Sequence, residues 1–349
     1  NQMRHRTTSF ISVCLTCILL LSCSEYYQDG DWFYVQEGEA IMPVWVRGNV
    51  SSGIFIVFLH GGPGESAIVE RIAAWNNYLE EHYAVVYWDQ RGSGIAQGNP
   101  SPATYNLGQF AEDVDLVVDV VKHKYDVNTM FMMGHSFGGM LGTEYLLDDT
   151  RQDKIAGWIA IDGVHNDPLR WELAVEWVVE HANLRIQNGE SVSHWEGEVA
   201  WYNTFPDPPY TELPFAGADE IARHSDNVAD LNGWYFDGSY PETRREYVFA
   251  SPINMAYLFN APRLRDHWDE WFEDRSPEMY QITIPSLILW GRHDGGVPVE
   301  LAPEVYDSLG TQAEEKVIVI FENSAHNPHE EEPELFTQVV VEFIESVVE

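Results

Sequence analysis

The thirteen residues MFMMGHSFGGMLG at positions 130–142 decide how this sequence is interpreted. The first five have the length and apolar character of a strand buried on both faces, and the residues from Phe137 onward have helical spacing. Between the two lies GHSFG, residues 134–138, a G-x-S-x-G pattern. The bare pattern occurs by chance, but a strand before it and a helix after it are typical of a nucleophile elbow. We expect the two glycines to let the backbone turn sharply, so that the Ser136 hydroxyl stands above the sheet at the positive end of the helix.

Short apolar runs alternate with amphipathic segments on both sides of this motif. The patterns predict strands at 54–60, 84–90, 130–134, 157–162, 286–291 and 316–323, and helices at 67–82, 109–124, 137–148 and 333–348. This alternation indicates an α/β fold with a mostly parallel central sheet flanked by helices.

The alternation stops between about residues 165 and 280, where tryptophans, tyrosines and phenylalanines crowd a proline-interrupted helical stretch. We therefore predict a helical cap at 165–280, inserted between two parts of one core, 35–164 and 281–349. Most of these aromatic residues are expected to fill the cap's own core. Some should line a pocket where the cap meets the sheet.

The composition limits the class of partner. Of 349 residues, 45% are hydrophobic, which is enough to bury a large core. Acidic residues outnumber basic ones 56 to 19 and give a formal net charge of −37. Such a surface repels nucleic acid and anionic lipid, so neither is an expected partner. A solvated acidic face is favoured over an acidic docking site.

The first residues indicate export. Arg4 and Arg6 precede an apolar run at 10–21 that is too short to span a bilayer, so we predict a signal peptide at 1–22 and a tether at 23–34. The stretch LLSC, ending at Cys23, resembles the lipobox of bacterial lipoproteins. It predicts a lipid on Cys23 and a place in the bacterial cell envelope, with plain secretion as the alternative.

All three cysteines, Cys14, Cys17 and Cys23, belong to this leader. A mature chain beginning at Cys23 would therefore have no disulfide, no thiol nucleophile and no cysteine metal site. The histidines do not show a ligand spacing such as H-E-x-x-H, so we predict neither a metal nor another cofactor.

A serine nucleophile needs a base, and the base must be chosen by position from thirteen histidines. His326 follows the last predicted strand and can reach the top of the sheet. His329 is the near rival, but it begins an acidic helix and is expected to face solvent. His135 should point away from its neighbour at the elbow, and His60 belongs to a glycine-rich loop.

An orienting carboxylate completes the predicted catalytic set. Asp294 lies just past the end of the strand at 286–291, and the order Ser136, Asp294, His326 is the chain order that this arrangement uses. Asp162, which follows the strand at 157–162, is the alternative acid.

Five motifs together resemble one branch of the α/β-hydrolases, the proline iminopeptidases: HGGPG (60–64), WDQRGSG (88–94), GHSFGG (134–139), GRHD (291–294) and SAH (324–326). The resemblance covers the predicted core and is much weaker in the cap. It implies an oxyanion hole formed by the amides of Gly62 and Phe137. Glycines suit that task because side chains would block the approach of the reacting oxygen. Asp89 or Arg91 is expected to hold the HGGPG loop from behind.

The same resemblance implies a serine aminopeptidase whose cap supplies carboxylates for the N-terminal amine of a short peptide. Glu196 and Glu198 in HWEGE are the predicted substrate-binding residues, with Glu172 on a neighbouring helix as an alternative. Hydrolysis of a carboxylic ester or small amide by the same residues is the alternative activity. A ligand receptor on a hydrolase scaffold is the alternative from another class.

Overall fold

The computed structural model describes residues 30–71, 76–205, 212–239, 260, 264 and 271–348. The predicted signal peptide and Cys23 lie outside these residues. The predicted tether ends too late, because the first strand already begins at Asp31. In the part of the chain that is described, no helix has the length and apolar character needed to cross a membrane.

The described residues form one sheet of nine strands. The strands are Asp31–Glu37 (β1), Ala40–Gly48 (β2), Ile54–Leu59 (β3), Ala84–Trp88 (β4), Gln97–Gly98 (β5), Thr129–His135 (β6), Gly157–Ile161 (β7), Ser286–Gly291 (β8) and Lys316–Phe321 (β9). All six predicted strands are confirmed. Neither β5 nor the hairpin of β1 and β2 was predicted from the sequence. The hairpin contains Pro43 and begins among polar residues, and β5 has only two residues.

The strand order is β1-β2-β4-β3-β6-β7-β8-β9, with β5 paired to β2. β1 pairs antiparallel with β2, and β2 pairs antiparallel with β4. The neighbours β4, β3, β6, β7, β8 and β9 all run parallel to one another. β3 and β6 lie in the middle of this order, and their carboxyl ends point to the same edge. Loops that follow parallel strands meet at that edge, which is where open α/β sheets bind ligands.

Helices cover both faces of the sheet. In chain order, the described α-helices are Ala67–Glu70 (α1), Asn76–His82 (α2), Leu107–Lys124 (α3), Phe137–Leu146 (α4), Asp149–Gln152 (α5), Asp167–Gln187 (α6), Val192–Tyr202 (α7), Ala218–Asp230 (α8), Leu301–Ser308 (α9), Pro328–Glu331 (α10) and Pro333–Val348 (α11). The segment predicted as one helix at 67–82 contains two, α1 and α2. The other three predicted helices are confirmed within a few residues.

Three apolar clusters hold these layers together. One lies on each face of the sheet, and the side chains of β3, β4 and β6 contribute alternately to both. The third joins α6, α7 and α8 through Trp171, Trp195 and Tyr202. These helices lie between β7 and β8 in the chain, where the rhythm of strands breaks. Aromatic residues thus fill a core of the inserted segment, as the sequence indicated.

Candidate active site

Ser136 lies at a strained turn between β6 and α4. Its φ of 55° and ψ of −120° are unusual for a residue with a side chain. Its amide donates to the Ile161 carbonyl at 3.0 Å, and its own carbonyl accepts from the Val164 amide at 3.0 Å. The end of β7 therefore holds the turn from both sides, and Ser136 takes the position that begins helix α4.

The two glycines of the motif have a different task from the one predicted. A Cβ on Gly134 would lie 2.3 Å from the Gly138 carbonyl oxygen, and a Cβ on Gly138 would lie 2.1 Å from the Leu59 carbonyl oxygen. Neither glycine has a positive φ, whereas Ser136 does. The glycines therefore allow β6, α4 and β3 to approach closely, and the serine itself carries the strain.

His326 and Asp294 form a buried pair. His326 Nδ1 lies 2.6 Å from Asp294 Oδ2, and both side chains are almost wholly buried. The other carboxylate oxygen of Asp294 accepts from the amides of Gly296 and Val297, each at 2.8 Å. These bonds fix the carboxylate, and the carboxylate in turn fixes the imidazole tautomer with its proton on Nδ1.

Asp162, the alternative acid, is adjacent to this pair. It accepts a hydrogen bond from the Gly291 amide at 2.9 Å. Burial, followed by the nearby Asp294 carboxylate, raises the pKa of Asp162 well above its usual range. This shift favours the uncharged form of Asp162 beside Asp294, and Asp294 is the carboxylate that bonds His326 directly.

The other candidate histidines are also buried. His329 was expected to face solvent, but it is fully buried, so that expectation was wrong. α10 packs under the sheet edge and leaves His329 against His135, with ring centroids 4.6 Å apart. His60 bonds the Gly61 carbonyl through Nδ1 at 2.8 Å, and burial lowers the pKa of His60 to about 4. His60 is thus a neutral structural residue of its loop.

The HGGPG loop packs directly on Ser136. A Cβ on Gly61 would lie 3.1 Å from Ser136 Cβ and 3.2 Å from Glu65 Oε2, so any side chain there would press on the serine, and glycine avoids this. Gly62 has a φ of +114°, which favours glycine, and its peptide bond to Pro63 is cis. The loop therefore presents bare backbone beside the serine.

The WDQRGSG segment supports this loop through Asp89 and Gln90. The Asp89 carboxylate accepts from the Ser66 hydroxyl and from the Ile95 amide, both at 2.8 Å. Burial raises the pKa of Asp89 to about 7. Arg91 turns elsewhere and forms two 2.6 Å bonds to Asp113 on α3. Of the two residues expected to hold the loop, Asp89 bonds Ser66, which lies just after the loop and caps α1. The direct bonds to the loop come from Gln90, whose amide and side chain donate to His60 Nε2 and to the His60 carbonyl, each at 3.2 Å.

A cavity opens at Ser136. Its volume is about 100 Å³, well below the several hundred of a drug-sized pocket, so it suits a small group. Gly62 and Phe137, the two predicted oxyanion-hole residues, line it together with Ser136. Most of the remaining wall is apolar and includes Pro63, Met140, Val164, Trp234, Trp271 and Val297.

Trp234 joins the cavity to the histidine pair. Its ring lies edge-on to that of His326, with centroids 5.1 Å apart. The Trp234 carbonyl accepts from Asn327 Nδ2 at 2.9 Å, and the indole nitrogen donates to the Ser225 carbonyl at 3.0 Å. One wall of the cavity thus comes from the segment between β7 and β8 and is bonded to the residue after His326.

The three predicted substrate-binding glutamates do not line this cavity. Glu196 is exposed on α7. Glu198 accepts two hydrogen bonds from Arg223, at 2.8 and 2.9 Å, and this partner lowers the pKa of Glu198. Glu172 is half-buried on α6. In this arrangement none of them lies beside Ser136, and their role stays a prediction.

Two charged residues that the sequence analysis did not select do line the cavity. Asp167 and Arg170 belong to the first turn of α6, and both are buried. Arg170 Nε donates to Asp167 Oδ1 at 2.5 Å, and Arg170 Nη1 donates to the Gly296 carbonyl at 3.2 Å. The available signal was position, since these residues begin the first helix after the carboxyl end of β7.

Among the residues that the structure describes, two buried groups bring potential metal ligands within 4.8 Å of one another. One contains Asp162, Asp294 and His326, and the other contains Glu70, His135 and His329. In the first, Nδ1 of His326 is already engaged by Asp294. The hydrogen bond between this acid and this base therefore accounts for the proximity of the residues in the first group.

Comparison with known proteins identifies relatives of this chain, a solved structure with a similar fold, and a matching family model. A probable aminopeptidase of Bacillus subtilis, YbaC, is 27% identical over 290 residues, 82% of this chain and 87% of that protein. A proline iminopeptidase of Saccharolobus solfataricus is 25% identical over 297 residues, 84% and 85% of the two chains. The crystal structure of a bacterial membrane phospholipase A superposes with a TM-score of 0.66 at 19% identity, over 99% of this chain and 96% of that one. The model of the alpha/beta hydrolase fold family matches residues 54–333, and the chain belongs to that family.

Proposed function

We propose that this hydrolase is a serine aminopeptidase that releases the N-terminal residue, proline among the candidates, from short peptides. Two relatives named as aminopeptidases support the proposal at 25–27% identity. The observation that carries it is the small cavity itself, in which the buried carboxylate of Asp167 accompanies Ser136. A charged amine is a group that such a carboxylate would hold.

The chemistry follows from the residues at the cavity. Ser136 would attack the acyl carbon while His326 takes the hydroxyl proton and later gives it to the leaving amine. Asp294 would hold the imidazole and stabilise its charged form. Gly62 and Phe137 would meet the tetrahedral oxyanion, an interaction that is worth roughly 100-fold or more in rate per donor. Water would then release the aminoacyl group from Ser136.

A second activity, hydrolysis of small esters or amides without a free amine, is favoured by one specific contact. Arg170 bonds Asp167 at 2.5 Å, so the carboxylate that would hold an amine already faces a cation. An ion pair in an otherwise apolar cavity also suits an uncharged acyl group.

The test compares aminoacyl p-nitroanilides with the same compounds N-acetylated, and with p-nitrophenyl esters of short acids. The aminopeptidase proposal expects cleavage of the free-amine anilides and loss of activity on acetylation. Activity on esters alone would refute it and favour the esterase. A fluorophosphonate probe tests the nucleophile, and labelling must disappear in Ser136→Ala. No labelling of the wild type would indicate a ligand receptor.

Asp167→Asn tests the amine-binding role. We expect kcat/KM for free-amine anilides to fall at least 10-fold, because a charge-assisted bond to a buried carboxylate is worth about 1.5–3 kcal/mol. Glu180→Gln is the matched control, since it removes an exposed charge from the same helix outside the cavity lining. Equal effects of both variants would show that Asp167 acts through the charge of the helix and does not contact the amine.

We also propose that the protein is exported and anchored in the bacterial cell envelope through a lipid on Cys23. The basis is the leader sequence, with its basic start, short apolar run and LLSC motif. Metabolic labelling with radioactive palmitate tests it, and Cys23→Ala should abolish the label. A wild-type protein that appears unlabelled in the medium would indicate plain secretion.

A further inference from the structure

Three buried side chains from distant parts of the chain meet beneath the nucleophile elbow. Glu70 ends α1, His135 ends β6 and His329 lies in α10, and each is at most 2% exposed. Glu70 Oε2 lies 3.9 Å from His135 Nδ1, and the rings of His135 and His329 are 4.6 Å apart. Burying three titratable groups together is costly unless they support one another.

His135 connects this cluster to the base. Its Nε2 lies 2.8 Å from the backbone carbonyl oxygen of His326, and the two rings lie 4.8 Å apart. A carbonyl only accepts, so His135 must carry a proton on Nε2 and donate it. Nδ1 then faces Glu70 Oε2 at 3.9 Å, beyond hydrogen-bond distance, and this contact holds the ring when a proton lies on Nδ1 or on the Glu70 carboxyl.

His326 is thus held at two points. Asp294 bonds its ring at 2.6 Å, and His135 bonds its backbone at 2.8 Å. The first bond sets the tautomer, and the second sets the position of the Cα from which the ring extends. A displacement of about 1 Å in a reacting group can cost on the order of 100-fold in rate, so a bond that fixes the backbone of His326 can affect catalysis.

We propose that Glu70, His135 and His329 form a positioning network for the base, in which His135 donates to the His326 carbonyl and Glu70 and His329 hold the His135 ring. The proposal rests on the proposed role of His326 as the base of a serine hydrolase. It gives a function to two histidines that are themselves excluded as the base. None of the three would touch the substrate.

The test uses His135→Leu and His135→Gln, which differ in one property. Leucine fills similar space without a donor, whereas the glutamine amide can still donate from a position near that of Nε2. The readout is inactivation by a fluorophosphonate, which needs Ser136 and His326 but no amine recognition. We expect the leucine variant to lower the maximal inactivation rate by roughly 10- to 100-fold with little change in the probe's inhibition constant. Glutamine should restore most of it.

Two further measurements separate positioning from general damage. The His326 Nδ1 proton, bonded to Asp294, should give a strongly downfield NMR signal that shifts or broadens in His135→Leu and returns in His135→Gln. His224→Leu is the matched control, because it removes a buried histidine from the core of the inserted segment, where His224 bonds Tyr202 at 2.9 Å. It should leave the inactivation rate unchanged.

Several outcomes would overturn the proposal. A leucine variant as fast as the wild type would show that the carbonyl bond is dispensable. Equal losses for leucine and glutamine would show that the donated bond is not the cause, because only glutamine keeps a donor. Stoichiometric zinc in the purified wild type, lost in His329→Ala, would show that the three residues form a metal site. A wild type that never reacts with the probe would instead refute the proposed hydrolase function.

Discussion

The ion pair of Arg91 and Asp113 allows a quantitative prediction about the loop behind the cavity. Two bonds of 2.6 Å join the side chains, whose exposed fractions are 3% and 0%. Asp113→Asn would leave the guanidinium buried without its counter-charge, and arginine cannot release its proton. Removing one partner of a buried pair costs about 3–5 kcal/mol of the free energy of unfolding.

The partner substitution should be milder. Burial raises the pKa of Asp113 in spite of the bonds from Arg91, which lower it, so loss of the arginine would raise the pKa of Asp113 further. In Arg91→Met the stranded acid can therefore become neutral. Replacing both residues, in Arg91→Met with Asp113→Leu, should cost less than Asp113→Asn alone, because no charge stays buried.

Thermal unfolding provides the assay. An unfolding entropy of roughly 0.7 kcal/mol per degree, expected for a chain of this length, converts 3–5 kcal/mol into a fall of about 4–7 °C in Tm. Arg292→Met is the control, since it breaks the exposed pair with Glu322 at 2.7 Å and should leave Tm unchanged within error. A double variant that loses as much as Asp113→Asn would refute the argument, because the stranded charge would then not be the cause.

Three further predictions concern the cavity wall, helix α10 and the nucleophile elbow. Trp234→Ala should enlarge the cavity and shift preference toward bulkier acyl groups, which a series of p-nitrophenyl esters or aminoacyl anilides would measure; an unchanged order of preference would contradict its place in the wall. Burial raises the pKa of Glu331 from 4.5 to about 7. Between these two pH values, Glu331 holds a proton in the folded chain and has released it in the unfolded chain. Its contribution therefore falls as pH rises from about 4.5 to 7, and Glu331→Gln should flatten the decline of Tm over that range, whereas an equal slope would exclude Glu331 as a source. Gly138→Ala should destabilise strongly, since its Cβ would lie 2.1 Å from a carbonyl oxygen. Gly197→Ala, with open space on α7, should stabilise by up to about 1 kcal/mol by denaturant titration, and equal effects of the two substitutions would refute the steric reasoning.

Local patterns determined much of this protein. A strand buried on both faces is a continuous apolar run, so β3, β4, β6, β7 and β8 could be predicted, and with them the parallel sheet. β9 has a similar apolar run although it is an edge strand with Val317 and Ile318 exposed. The elbow is a local motif, and Asp294 and His326 each lie just past a predicted strand end. Position along the chain was therefore enough to select both members of the 2.6 Å pair.

Only the tertiary structure decided which charged groups reach the cavity and which lie beneath it. Glu196 and Glu198 were chosen by resemblance in a segment where the resemblance is weakest, and they lie outside the cavity lining, whereas Asp167 lies within it. His329 looks solvent-facing in an acidic helix start, yet the packing of α10 buries it against His135. Glu70 carries no local signal at all. Elements that are far apart in the chain bury these side chains and bring them together, so no local sequence pattern predicts the contacts. Burial and proximity are also what distinguish a buried network of charged groups from a solvated surface.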